Sequence, residues 1–559
     1  MTTTHTAVHP LADQFRAEGM WTDRTLIQEW QAVADTHAGR EAVVAGENRM
    51  TYAELSRATD LIAAGLLSAG AAPGDRALLQ LTNRLETVLA WYGVLKAGLV
   101  PVCTLAAHRR HEIEEIAMRS GASVHIVESS DDFDMIAFAE ETARRIPQLK
   151  LLVTVGASAG SAGMRLEDLV EGDAAAARAR VDAVQQALDP DGVAVLQLSG
   201  GTTGTPKLIP RRHHEYWYNA RAYADVLGWD ETVRVAHGAP IIHNAGVVCA
   251  LHAPHSVGGT CVLLTPVGQV VVSALTHERI TDMIAGAPLI PLIPLMVASG
   301  TIRRVVMSGA RPPLGMYEAF DEGGIWAGQL YGMAEGMFVA TPLDAPGAAR
   351  RNSVGVPISP LDEVLVLDPA SEERLADGEL GELCVRGPYT ITAYYDAREP
   401  GQAEKTEAHN RRAFTSDGYY RTGDLGVARI EDGYRCFSIE GRIKDVIDRG
   451  GEKINVDELE GLLNGHPQIA SVAVVPVPDK RLGQRGCAVV VPVPGTDVDL
   501  DSIRTYLEGR GVAKFKWPES LHLVDELPST AVGKVDKKVI RGWFAGGSAA
   551  EQLVPPVLS

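Results

Sequence analysis

The sequence predicts an α/β protein: a large N-terminal domain of parallel, helix-covered βα layers and a smaller α+β C-terminal domain. Three observations carry this. From Trp30 to Val127 amphipathic helical segments alternate with short apolar strands, the order that yields a parallel sheet under helices. From about Leu380 short runs rich in turn residues replace that alternation. After Arg442 a compact αβ unit follows. The chain has 559 residues, enough for several structural units, and 46% hydrophobic against 22% charged residues suits large cores.

The elements follow in order. Residues 1–25 read as a loose leading segment. Apolar spacing predicts a helix at Leu55–Ala69, a strand at Arg76–Leu81, a helix at Leu85–Ala97 stopped by Gly98, and a strand at Val100–Val102. Ala174–Ala187 reads as a surface helix or linker. Val193–Leu198 and Val305–Met307 are apolar, strand-like runs. Between Arg234 and Glu278 there is no Asp, Glu, Lys or Arg. A membrane-spanning helix needs about 20 near-uninterrupted apolar residues. This run is broken by Pro240, Pro254, Pro266, Gly258-Gly259 and five histidines, His237, His243, His252, His255 and His277. Buried strands and helices around a pocket are expected, and no membrane. The runs GELCVRG, YYRTGDLGVA and YRCFSIEGR suggest small antiparallel strands. A boundary near Gly441–Asp445 precedes a helix at Val456–Leu463, strands at Ala470–Pro476 and Cys487–Val491, and a helix at Leu500–Gly509.

Charge and cysteine usage narrow the function. With 52 basic against 71 acidic residues the net charge is −19, so nucleic acid is a poor partner. The six cysteines form no CxxC pair and no Cys/His cluster at zinc spacing, which fits a reduced, cytoplasmic setting. No signal peptide is visible at the N-terminus.

The sharpest local motif is Ser199-Gly-Gly-Thr-Thr-Gly-Thr-Pro-Lys207, directly after an apolar strand. Gly200, Gly201 and Gly204 let backbone N–H groups approach a polyphosphate, while Thr202, Thr203 and Lys207 add donors. It lacks the Gly-Lys-Ser/Thr ending of a P-loop kinase. Four more motifs follow in order: Tyr331-Gly-Met-Ala-Glu-Gly336, Tyr420-Arg-Thr-Gly-Asp424, Gly441-Arg-Ile-Lys-Asp-Val-Ile-Asp-Arg-Gly-Gly-Glu-Lys-Ile454 and Pro528-Ser-Thr-Ala-Val-Gly-Lys534. Together they resemble the adenylate-forming superfamily of acyl-CoA synthetases, adenylation domains and luciferases, over roughly residues 25–545.

The resemblance implies a fold and a set of roles. Residues 1–441 would form the adenylation domain, with a small β-barrel-like part. Residues 442–445 would be a hinge, and 446–559 a mobile C-terminal domain. Ser199 to Gly204 and Lys207 would hold the phosphates of ATP, with Glu335 and Thr203 beside Mg²⁺, a hard cation suited to oxygen ligands. Ser308, Gly309, Ala310, Arg311, Tyr331, Gly332, Met333 and Ala334 would surround the adenine, AMP and the reacting acid. Asp424 would accept from the ribose hydroxyls, with Arg442 near the same sugar. Lys534 would reach the carboxylate and α-phosphate, and Lys444 would serve at the hinge.

Ala334 stands where the family usually has Thr, and Gly-Met-Ala-Glu-Gly resembles the aryl-acid branch, which includes 2,3-dihydroxybenzoate–AMP ligases. Pro240-Ile-Ile-His-Asn-Ala-Gly246 resembles its acid pocket. Asn244 is neutral where amino-acid-activating relatives carry a carboxylate, and its amide can meet a hydroxyl or amine ortho to the acid. His243 would line the acid. Cys249 resembles salicylate ligases rather than dihydroxybenzoate ligases. Ala245 and Phe338 replace an aromatic and an aliphatic residue and reshape the pocket, so a substituted hydroxybenzoate or aminohydroxybenzoate is an alternative to salicylate. The acceptor would be CoA or the phosphopantetheine of a separate aryl-carrier protein. A homodimer is compatible with the resemblance. The rival readings are an acyl-CoA ligase for a non-aryl acid and a catalytically idle nucleotide-binding or assembly protein.

Overall fold

A computed structural model describes residues 9–130, 132–157, 163–199, 206–265, 268–285, 291–308, 312, 314–398, 403–449, 452–479, 481–510, 512, 514–530 and 534–544. The chain divides into two compact units. The first comprises Met1–Val364, Val385–Tyr420 and Ile430–Cys436; the second comprises Leu365–Cys384, Arg421–Arg429 and Phe437–Ser559.

The first unit is built on two large sheets. One has seven strands in the order Met164–Arg165, Leu151–Val155, Ala122–Glu128, Arg76–Gln80, Val100–Val102, Val193–Leu198, Leu208–Arg212. Every neighbouring pair is parallel except the last, an antiparallel hairpin with Leu198 opposite Leu208. The other has nine strands in the order Val356–Pro357, Met337–Ala340, Trp326–Met333, Arg304–Ser308, Asp282–Ala285, Arg234–His237, Thr260–Leu263, Glu41–Ala45, Asn48–Thr51. It is parallel through the middle and antiparallel at both edges. Central strands such as Val-Ala-Val-Leu-Gln-Leu at 193–198 are apolar at nearly every position because helices cover both faces of a parallel sheet.

The charge-free run from Arg234 to Glu278 forms two of these strands, a helical stretch through Gly246–His252 and Ala253–Ser256, and a helix at Gly268–His277. Two of its buried histidines, His252 and His255, are held by core neighbours. His255 Nε2 donates to the Ala42 carbonyl at 2.8 Å, so Nδ1 accepts from the Tyr92 hydroxyl at 2.7 Å and the Trp30 indole at 3.3 Å. His252 Nε2 accepts from the Trp91 indole at 3.0 Å. Burial lowers the pKa of both rings, to about 4 and about 3, and keeps them neutral. Among the described residues no helix is long and apolar enough to cross a membrane.

In the second unit Ile469–Asp479 and Gly483–Pro492 pair as a long antiparallel hairpin, with Ser520–Leu523 added in parallel. Alternate residues serve two cores. Val472, Val474, Ala488 and Val490 pack with Leu459, Leu463, Ile503 and Leu507. Ala473, Val475, Cys487 and Val489 pack with Ile540 on the other face. Asn455 and Asp499 cap the two covering helices, Val456–Leu463 and Leu500–Gly509. The unit also holds most of a four-stranded sheet ordered Glu363–Leu367, Gly381–Arg386, Tyr420–Glu431, Tyr434–Arg442.

Candidate active site

Trp326–Met333 and Met337–Ala340 form a hairpin in which Met333 faces Met337. Glu335 therefore sits at a three-residue tip, Ala334-Glu335-Gly336. The tip is held from three sides. Arg211 Nη1 donates to the Ala334 carbonyl at 2.8 Å, Ile391 N to the Glu335 carbonyl at 2.9 Å, and Thr390 Oγ1 to the Gly336 carbonyl at 2.9 Å. Gly336 has φ +101°, and a Cβ there would lie 1.8 Å from the Tyr389 carbonyl, so only glycine fits. Arg211 is itself fixed by a buried fork to Glu215, at 3.0 and 2.6 Å.

A hydroxyl relay joins this tip to the lysine of the Gly-rich motif. Tyr394 Oη donates to Glu335 Oε1 at 2.8 Å and lies 2.9 Å from Tyr420 Oη. Its single proton goes to the carboxylate, so Tyr420 is the donor to Tyr394. Lys207 Nζ donates to Tyr394 Oη at 3.2 Å and to His409 Nε2 at 2.7 Å. Burial and then the Lys207 charge push His409 down to about 4, which leaves the ring neutral and able to accept. Burial, with the Glu335 charge, raises Tyr394 well above the ordinary phenol value and keeps its proton in place. At the neck of the Gly-rich loop Ser199 N donates to the Lys207 carbonyl at 3.1 Å and Lys207 N to Ser199 Oγ at 3.0 Å. Tyr394 takes Oε1 of Glu335 and leaves Oε2 as the second oxygen of the carboxylate. A buried carboxylate with one oxygen committed and one left over suits Mg²⁺, which takes one or two protein carboxylates and fills its shell with phosphate and water.

A second cluster in the same unit surrounds Asn244. Asn83 ties down the preceding segment: its Nδ2 donates to the carbonyls of Ala239 at 2.8 Å and Leu264 at 3.0 Å, and its Oδ1 accepts from Ile241 N at 2.7 Å. Gly246 lets the following helical turn close on Ile241, whose carbonyl would lie 2.4 Å from a Cβ. Asn244 is buried, and its Oδ1 accepts from Tyr216 Oη at 3.0 Å. Tyr216 Oη in turn accepts from Gln197 Nε2 at 2.9 Å. This chain orients the amide: its oxygen accepts from Tyr216, so its other edge carries the two Nδ2 hydrogens. Cys249 is fully buried on the π-helical turn Gly246–His252, its thiol raised well above the usual value by burial. Phe338, opposite Gly332 in the hairpin register, is buried too. His243 and Ala245 flank Asn244 half-buried.

The third cluster lies in the second unit. Asp424, buried on the Tyr420–Glu431 strand, pairs with Arg442 Nε at 2.8 Å. Thr422 Oγ1 donates to the Leu383 carbonyl at 2.7 Å and accepts from Asp424 N at 3.0 Å, which shapes the Thr-Gly-Asp turn. The Lys534 side chain reaches solvent, yet its pKa is lowered, first by desolvation and then by the charge of Arg442, with Asp424 acting in the opposite direction. The turn Ile443–Asp445 follows Arg442, and Asp445 pairs with Arg541 at 2.9 Å.

The structure thus joins Lys207 to Glu335, groups Asp424, Arg442 and Lys534, and sets Asn244 near Cys249 on one helical stretch. Ser308 ends the strand Arg304–Ser308, and Tyr331 and Met333 lie half-buried on the hairpin. Gly200, Gly201, Thr202, Thr203, Gly204, Gly309, Ala310 and Arg311 lie outside the described residues, as does the side chain of Lys444. Sequence reasoning missed Tyr394, His409, Arg211, Tyr216, Gln197 and Asn83. None lies in a local motif that distinguishes it; each matters through a contact far along the chain.

Comparison with known proteins gives a consistent result. The family model described as AMP-binding enzyme matches residues 30–395, and that of the AMP-binding enzyme C-terminal domain matches residues 458–534. The chain is 39% identical over 559 residues to a salicylyl-CoA synthase / salicylate adenylyltransferase of a Streptomyces species, covering 97% of this chain and 98% of that protein. It is 33% identical over 547 residues to the vibriobactin-specific 2,3-dihydroxybenzoate-AMP ligase of Vibrio cholerae, covering 96% of each. The apo structure of Mycobacterium smegmatis MbtA superimposes with a TM-score of 0.70 at 34% identity, covering 96% of this chain and 98% of that one. With both domain models in order, relatives matched end to end, and the Lys207–Tyr394–Glu335 relay starting from the last residue of the Gly-rich motif, the chain belongs to the AMP-binding enzyme family, the adenylate-forming superfamily that its motifs resemble.

Proposed function

We infer that the protein is an ATP-dependent aryl-acid ligase. It activates an ortho-hydroxylated aromatic carboxylic acid as its acyl-adenylate, releasing pyrophosphate, and passes the acyl group to a thiol, that of CoA or of a carrier protein's phosphopantetheine. The observation that carries the ring substituent is the orientation of Asn244. With Oδ1 taken by Tyr216, the amide offers N–H donors. A phenolic oxygen ortho to the carboxylate accepts such a donor; an aniline nitrogen is a poor acceptor. The salicylate and dihydroxybenzoate ligases named above support the same class of acid.

The remaining roles follow from charge. Carboxylate and α-phosphate are both anions, and their approach needs fixed positive charge. Lys207, held by neutral His409 and Tyr394, keeps its ammonium for the phosphates, beside Ser199 and the loop from Gly200 to Gly204. Glu335 and Thr203 hold Mg²⁺, which supplies charge neutralisation on the phosphates. Asp424, aligned by Arg442, accepts from the ribose hydroxyls, while Tyr331 and the Ser308–Arg311 turn serve the adenine. Lys534 meets the reacting carboxylate and α-phosphate. The C-terminal domain, 446–559, turns about 442–445, with Lys444 at the pivot, between adenylation and thioester formation.

The test is ATP–pyrophosphate exchange with benzoate, salicylate, anthranilate and 2,3-dihydroxybenzoate. Salicylate is expected to exceed benzoate and anthranilate. Asn244→Ala should lower kcat/KM for salicylate roughly ten- to a hundredfold more than for benzoate, the cost of a lost partner in a buried site. Equal losses for both acids would refute the role of the amide, and no exchange with any aromatic acid would refute the function.

A further inference from the structure

The helix His213–Val226 carries a polar residue that the reading above leaves unused. Asn219 is 0% exposed, and neither its Oδ1 nor its Nδ2 has a hydrogen-bond partner among the described residues. Folded interiors pair nearly all such groups, so an amide with both ends unmet marks a place where a ligand or trapped water completes the site.

Its position distinguishes these. Residues 216, 219 and 223 share one side of the helix by the i, i+3, i+7 spacing. Tyr216 holds Asn244 by the 3.0 Å hydrogen bond. Tyr223, two turns on, lies beside the Cys249 thiol and meets the Phe338 ring edge to face at 6.4 Å. The Tyr223 hydroxyl also lacks a partner of hydrogen-bond geometry. Phe338 meets Tyr389 at 6.3 Å, and Tyr389 lies 6.3 Å from Tyr218, the neighbour of Asn219 on the helix. Tyr216 and Tyr223, which flank Asn219 on that side of the helix, thus meet three residues assigned to the acid pocket, Asn244, Cys249 and Phe338. Burial keeps both the Cys249 thiol and the Tyr223 phenol protonated, and the Asp282 carboxylate, whose charge reaches Tyr223, is paired with Arg304.

We propose that Asn219 is a further specificity-determining residue, and that the preferred acid carries, beyond its ortho hydroxyl, a second neutral hydrogen-bonding ring substituent that the Asn219 amide reads. This rests on the aryl-acid reading above. The amide presents one acceptor and two donor hydrogens, which matches a hydroxyl acting both ways and, through Oδ1, an amino group. A carboxylate or ammonium finds no unpaired counter-charge among these groups, since Asp282 is taken by Arg304.

The experiment is pyrophosphate exchange on salicylate and its singly hydroxylated and aminated ring derivatives, with wild type, Asn219→Leu and Asn219→Ala. In wild type at least one derivative should exceed salicylate by roughly tenfold or more in kcat/KM. Both variants should reduce that ratio roughly ten- to a hundredfold. A ratio of two acids on one preparation does not depend on how much of it is folded. If no derivative exceeds salicylate, or the ratio is the same in all three proteins, Asn219 meets only water or neighbouring protein, and this proposal falls while the aryl-acid reading stands. Absence of exchange with every aromatic acid overturns both.

Discussion

Tyr394→Phe isolates the relay between Lys207 and Glu335. The ring is 1% exposed, and its packing survives the change, so the substitution deletes only Oη. Three interactions go with it: the 2.8 Å donation to Glu335, the 2.9 Å contact with Tyr420 and the 3.2 Å acceptance from Lys207. Lys207 keeps His409 at 2.7 Å, so the dominant loss is the hydrogen bond to an ionised carboxylate. Such bonds contribute about 1.5–3 kcal/mol. At 1.36 kcal/mol per factor of ten, this corresponds to a roughly ten- to 150-fold fall in kcat/KM for ATP. The assay is pyrophosphate exchange at saturating acid with varied ATP and magnesium, beside thioester formation from supplied acyl-adenylate. Exchange should fall, and the magnesium requirement should rise. The thiol step, which uses no pyrophosphate, should change much less. Exchange within threefold of wild type at unchanged magnesium dependence would show that Tyr394 only packs. An equal fall in both half-reactions would place the damage in the fold.

Three further outcomes are expected. Lys534→Ala should cut adenylation by roughly 10²–10³, by analogy with loss of one preorganised charge stabiliser, while the thiol step from supplied acyl-adenylate changes far less; near-normal exchange would remove Lys534 from the chemistry. Asp424→Ala should weaken ATP more than 2′,3′-dideoxy-ATP, and equal losses in isotopic-exchange KM would mean that the carboxylate does not read the ribose. Acid should unfold the protein early. His125, His213, His237, His252 and His255 are buried with pKa values lowered to between about 3 and about 4 by burial. Below pH 6.5 the unfolded chain binds protons that the native state refuses, so stability falls as pH falls. At roughly 1.4 kcal/mol per pH unit per ring, five rings exceed a typical total of about 5–15 kcal/mol before pH 4. Calorimetry from pH 7.5 to 4.5 should show a steep loss of Tm, and a flat profile would contradict neutral burial.

The sequence by itself determined the features written locally. The strand Val193–Leu198 and the helices Val456–Leu463 and Leu500–Gly509 were legible to the residue because apolar runs end at caps and turns. The helix expected from Leu55 begins three residues earlier, at Tyr52, because the Thr51/Glu54 capping box fixes its start. The five ordered motifs sufficed for the family, since each is a contiguous string whose backbone must approach phosphate or turn sharply. Only the tertiary structure decided what holds those strings in place. Tyr394, His409 and Arg211 reach the Gly-rich lysine and the Glu335 tip from positions tens to hundreds of residues away. The donor face of Asn244 depends on Tyr216 and Gln197, and the unmet amide of Asn219 becomes visible only once its neighbours are packed. Backbone conformation is dictated by neighbours in sequence, whereas the orientation of a buried amide or the proton on a phenol is fixed by partners that only folding brings within about 3 Å.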